Sequence, residues 1–137
     1  MTQAEIENHI ETTERFLRHA EEEFEAGDMP QASEKAWGAV AHYLKSVAKF
    51  RGWRNSSHSD LAHIALDLAQ ETDNPARAEE LYVSMEGMHT NFYEDRLPDG
   101  LVARGIDNAA ELISMLENRT LPPVDPRPSR AGRSRRR

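Results

Sequence analysis

The chain is 137 residues long, 38% hydrophobic and 30% charged, and it contains no cysteine. That length suits one domain able to bury a real core, and the missing cysteine excludes a disulfide scaffold, a cysteine nucleophile and a thiolate metal site. The net charge of −7 hides an asymmetry: residues 1–118 carry 23 acids and 10 Lys/Arg, net −13, while residues 119–137 carry seven Arg and one Asp, net +6.

The expected organisation is therefore an acidic body over residues 1–118 and a basic tail over 119–137. No run approaches the roughly twenty apolar residues that span a bilayer. The N-terminal stretch MTQAEIENHIETTERF is too acidic and polar for a signal peptide. A soluble, cytoplasmic protein with no membrane contact is the expectation.

No sustained period-two alternation and no hairpin turn appears, so the chain reads as all helix. A first helix over residues 3–26 places Ile6, Ile10, Thr13, Leu17, Ala20 and Phe24 on one face and stops at Gly27. Its last turn crowds Glu21, Glu22, Glu23 and Glu25 at the carbonyl end, where negative charge is disfavoured. The arginine tail or a cationic partner could compensate.

Asp28 can cap the second helix, with Pro30 in the first turn, where a missing N–H costs little. This helix, running to about residue 53, is apolar or small over roughly 220° of arc, from Ala39, Tyr43 and Phe50 round to Ala41. So wide a face suits a helix with neighbours on several sides. Gly38 lies in the remaining polar strip, and a mid-helix glycine costs up to about 1 kcal/mol against alanine. A neighbouring helix, or the same helix of a second subunit, is expected to pack over it, with Trp37 as the core anchor.

A third helix starts at Ser57, whose pairing with Asp60 is the acidic variant of a capping box, and it turns Leu61, Ile64, Ala65 and Leu68 inward. A fourth runs from Pro75 to about residue 95 with Ala78, Leu81, Met85, Met88 and Phe92 as its stripe. LPDGLVARG reads as a break, and a last helix over 106–118 buries Ile106, Ala109, Ala110, Ile113 and Leu116. The fold class expected is all-α, a compact antiparallel bundle of about five helices.

The tail, RTLPPVDPRPSRAGRSRRR, has four prolines and only Leu121, Val124 and Ala131 as apolar residues, too few to offset the entropy of ordering it. It is expected to be disordered. Arg127, Arg130, Arg133, Arg135, Arg136 and Arg137 suit a phosphate-binding arm. A solubilising end that folds back on the acidic body is the competing reading, since terminal charge runs are usually just solvated.

The segment GDMPQASEKAWGAVAHYLKSVA, with His58 before a short helix and HTNFYE at residues 89–94, resembles the archaeal PaREP repeat-element protein family. The likeness covers most of residues 15–117. The family is grouped with the HEPN superfamily, and the resemblance implies a helical bundle, often dimeric, among ribonucleases, toxins and non-catalytic RNA- or nucleotide-binding proteins. Its nuclease members place an arginine a few residues before a histidine at the entry to a late helix. Arg51 and His58 have six residues between them, but they lie between the second and third helices.

A ribonuclease needs a base for the ribose 2′-hydroxyl, a cation for the phosphorane charge and an acid for the leaving oxygen. His58, His89 and Tyr93 are the catalytic candidates. Lys35, Arg51, Arg54, Asn91 and Glu94 are the binding candidates, and Trp37, Gly38 and Phe92 the structural ones. Glu86-x-x-His89 is a single copy of a motif that di-iron bundles use twice, so neither metal nor cofactor is expected.

Three functions are carried forward. The first is a nucleic-acid- or nucleotide-associated binding protein, and the second a non-catalytic homodimeric module with a companion protein. The third is a metal-independent ribonuclease.

Overall fold

The computed structural model describes residues 2–119, and over them the chain forms five helices and no strand. They are α1 (Gln3–Glu25), α2 (Met29–Arg51), α3 (His58–Ala69), α4 (Pro75–Glu94) and α5 (Asp99–Glu117). Their starts follow local chemistry. The Asp28 side chain accepts from the Gln31 N–H at the head of α2, and Ser57 and Asp60 complete a reciprocal capping box at α3. Asn74 caps α4, with Pro75 in its first turn.

α1 and α2 form a tight antiparallel hairpin through Gly27, which adopts a left-handed φ of 85°. α2 is the central element and packs against all four other helices, which is why its apolar face is so wide. Ala32, Ala36, Ala39, Val40, Leu44 and Ala48 are all fully buried along it. The small alanines among them let the surrounding helices approach closely. Leu61, Ile64 and Leu68 of α3, Leu81, Met85 and Met88 of α4, and Val102, Leu112 and Leu116 of α5 fill the rest of the core.

Several expectations are corrected. α5 begins at Asp99, seven residues before the expected start, because Pro98 takes the N-cap position and Gly100 and Gly105 are absorbed into the helix. The missing side chain of Gly105 makes room for Met88 of α4, whose sulfur a Cβ there would run into. In the stripe of α4 the buried position belongs to Asn91, with Phe92 only partly covered. Phe50, assigned to the apolar arc of α2, is 64% exposed, and Ala110 of α5 also faces out.

Gly38 is covered as expected, by the Phe16 ring of α1, whose nearest carbons lie 3.1 Å from where a Cβ would stand. The side chain of Ile6 and the expected disorder of residues 120–137 lie outside the described residues. Arg119, assigned to the tail, is held by the body, its guanidinium donating to the Tyr43 hydroxyl at 2.9 Å. No helix among the described residues is long and apolar enough to cross a membrane.

Candidate functional site

The SEKAWG and HTNFYE segments, far apart in sequence, meet where α2 crosses α4. Ser33, Glu34 and Trp37 occupy successive positions on one side of α2, because residues three and four apart share a helix face. Asn91 and His89 face them from α4. The first turn of α3 adds His58, placed by the capping box immediately before it.

Three rings gather at this crossing. Trp37 lies 5.3 Å from His58 and 5.0 Å from His89, and the two imidazoles are 5.7 Å apart and stacked, with 20° between their planes. Tyr93 closes the outer side edge-on to His89 at 5.6 Å, and Tyr82 lies beneath, 6.1 Å from Trp37. Trp37 is only 7% exposed, whereas Tyr93 is 72% exposed. The cluster thus has an apolar floor and an open aromatic lip.

Each imidazole is paired with a carboxylate from another helix. Nε2 of His58 is 3.0 Å from Glu86 Oε2, and Nδ1 of His89 is 3.1 Å from Glu34 Oε1. When neutral, a ring that donates to a carboxylate through one nitrogen leaves the other bare. His58 then offers Nδ1 and His89 offers Nε2 as bare acceptors facing away from their carboxylates. Burial pushes the Tyr82 phenol well up, and the neighbouring Glu86 adds to the shift, so Tyr82 remains a phenol.

Beneath the rings lies a polar pin. The buried Asn91 amide donates to Ser33 Oγ at 3.0 Å, and Asn91 Oδ1 accepts from the Arg96 and Leu97 N–H groups at 2.8 and 2.9 Å. Ser33 in turn donates to the Met29 carbonyl. Asn91, a binding candidate by sequence, is 1% exposed and holds the α4–α5 turn against α2.

The other candidates are dispersed. Lys35 points to α1, its Nζ 5.8 Å from the Phe16 ring centroid. Arg51 makes a two-pronged pair with Glu71 at 2.6 and 2.7 Å and lies against Trp53, so its charge serves the joint between α2 and the α3–α4 turn. Arg54 is exposed in the loop before α3, and Glu94 pairs with Arg96 at 2.7 Å. The tail arginines from Arg127 onward lie outside the described residues. Glu86 and His89 serve different partners, and among the described residues no three His, Asp or Glu groups converge on a metal position.

The archaeal PaREP1/PaREP8 family model matches residues 8–113. The chain belongs to that family. No curated protein and no solved structure matches it. The stretch shared with the PaREP1/PaREP8 family includes both motif segments, all three rings and both carboxylates.

Sequence reading singled out His58, His89, Tyr93 and Trp37 in this PaREP chain, but it missed Glu34 and Glu86 as their partners. Each reads as an ordinary acid on a helix surface. The available signal was their position, Glu34 three residues before Trp37 and Glu86 three before His89, which puts acid and ring on one face.

Proposed function

We propose that this PaREP-family chain binds a nucleotide or single-stranded nucleic acid at the Trp37–His58–His89–Tyr93 cluster. The observation that carries the reading is the pair of stacked, carboxylate-linked imidazoles under an exposed tyrosine. Exposed aromatic faces accept bases by stacking, at about 1–3 kcal/mol per base. Carboxylates accept hydrogen bonds from exocyclic base amines, which fits Glu34 and Glu86 better than it fits a phosphate. The bare imidazole nitrogens would take a ribose hydroxyl or a phosphate oxygen. The HEPN grouping of the resembled family points the same way.

Trp37 emission in a Trp53→Phe background reports occupancy of the cluster. Titration with nucleoside monophosphates and short RNAs should quench it, and Tyr93→Ala should weaken binding about tenfold, the worth of one stacked base. Lack of any nucleotide or RNA affinity in the full chain would leave the non-catalytic homodimeric module, with its companion protein, as the reading.

One observation favours a second reading: two imidazoles from different helices within 5.7 Å of each other suit a base and an acid acting on one phosphodiester. Such a metal-independent ribonuclease would cleave labelled RNA in the presence of a chelator. Either His58→Ala or His89→Ala would then remove cleavage, typically by a factor of about 10²–10⁴. Cleavage that persists in both variants would eliminate this reading.

A further inference from the structure

On the side of α2 away from the ring cluster, a groove of about 540 Å³ runs between α1, α2 and α5. Ile10, Val47 and Phe50 give it an apolar wall, and Ile10 and Phe50 are 42% and 64% exposed. Arg119, the last described residue, lines the same groove. Its guanidinium is anchored by the Tyr43 hydroxyl at 2.9 Å, the Leu116 carbonyl at 2.7 Å and Glu71 at 3.2 Å. The point at which the chain leaves the bundle is therefore set inside the groove.

The segment beyond Arg119 has the matching composition. Thr120 leads into Leu121, Pro122, Pro123 and Val124, an apolar run with no charge, and then come Asp125 and six arginines. Five residues reach about 16 Å when extended, enough to carry Val124 along the wall. Two prolines favour an extended backbone at small entropic cost and require no ladder of hydrogen bonds. The rim complements the arginines: Glu7, Glu11 and Glu14 are exposed on α1, with Glu117 of α5 near Glu14. Burial, and then the neighbouring Glu14, push the Glu117 carboxyl up, as expected where acids crowd together.

We propose that residues 121–124 of the same chain dock in this groove against Ile10, Val47 and Phe50, with the arginines after them lying on the acidic rim of α1. The groove is independent of the ring cluster, and the proposal stands whether or not that cluster binds nucleotides. It turns the basic segment into part of the folded surface and covers the apolar wall that α1 and α2 leave open.

Because the chain has no cysteine, engineered pairs report proximity cleanly. The test uses the full chain carrying Phe50→Cys with Val124→Cys. The comparison pair is Gln70→Cys with Val124→Cys, since Gln70 is exposed next to Glu71, the partner of Arg119, and does not line the groove. Docking predicts that the groove pair forms an intramolecular disulfide at least about tenfold faster, at a rate independent of protein concentration. Equal rates for the two pairs overturn the proposal, as does a disulfide-linked dimer whose yield rises with concentration, which would give the groove to a second copy.

A second measurement guards against damage by the paired substitutions. In the single variant Phe50→Cys, maleimide labelling should speed up about tenfold when Leu121→Asp and Val124→Asp are added, the two charges being unwelcome against an apolar wall. Unchanged labelling would also overturn the proposal.

Discussion

Gly38 and Gly105 both sit inside helices under a neighbouring side chain, yet they predict different costs for the same substitution. A Cβ at Gly38 would meet the edge of the Phe16 ring at 3.1 Å, and Phe16 is partly exposed and can tilt. Gly38→Ala should change unfolding free energy by no more than about 1 kcal/mol, because better helix propensity offsets the squeeze. A Cβ at Gly105 would fall 2.2 Å from the sulfur of Met88, a side chain 1% exposed in the core. Gly105→Ala should cost about 1–3 kcal/mol in a urea titration. Equal stability of the two variants would mean that Met88 swings aside freely. The sequence pointed to Gly38 because a tryptophan stands beside it, but Gly105 read as a helix breaker, since a local propensity cannot register a methionine arriving from another helix.

The same division holds between elements. Asp28, Ser57 and Pro75 were legible as helix starts because a cap is decided within four residues of chain. The start of α5 was not, because Pro98 and the two glycines after it look like a loop until the contact between Gly105 and α4 is known. Of the candidate site, the rings were legible as residue types at helical spacing. Their meeting, and the carboxylates that pair with them, depend on the register of α2 against α3 and α4, which no spacing along one helix records.

Arg51 illustrates the loss. Read as a phosphate contact, it is taken up by Glu71, which also holds Arg119. Glu71→Ala would leave two guanidinium groups without their shared carboxylate, with side-chain exposures of 22% and 14%. A loss of about 3 kcal/mol, the lower edge for breaking a buried pair, should appear in chemical denaturation. Glu71→Gln should recover part of it by keeping hydrogen bonds without charge.

At the scale of the whole molecule, stability should depend on pH through the α1–α2 hairpin. His9 Nδ1 and His42 Nε2 are 3.1 Å apart, so one of the two nitrogens must be bare for the hydrogen bond to exist. Burial, and then His9, Lys49 and Lys45, lower the His42 pKa from 6.5. Below pH 6.5 the unfolded chain binds a proton that the folded chain resists. The contribution of His42 is thus complete above 6.5 and is lost as pH falls toward the lowered folded value. Thermal unfolding from pH 7 down to about 5 should show a shallower decline for His42→Gln than for the parent. Parallel profiles would place the sensitivity elsewhere.

The Asn91 pin has a consequence for exchange with solvent deuterium. The Arg96 and Leu97 amides belong to a surface turn, the kind of backbone that normally trades its hydrogens within seconds through local fluctuation. Their acceptor, however, is a side-chain oxygen inside the bundle, and exposing it requires α4 to part from α2. These two loop amides should therefore exchange as slowly as the amides at the centre of α4. Their rates, measured by NMR, should read the opening free energy of the α2–α4 interface from outside it.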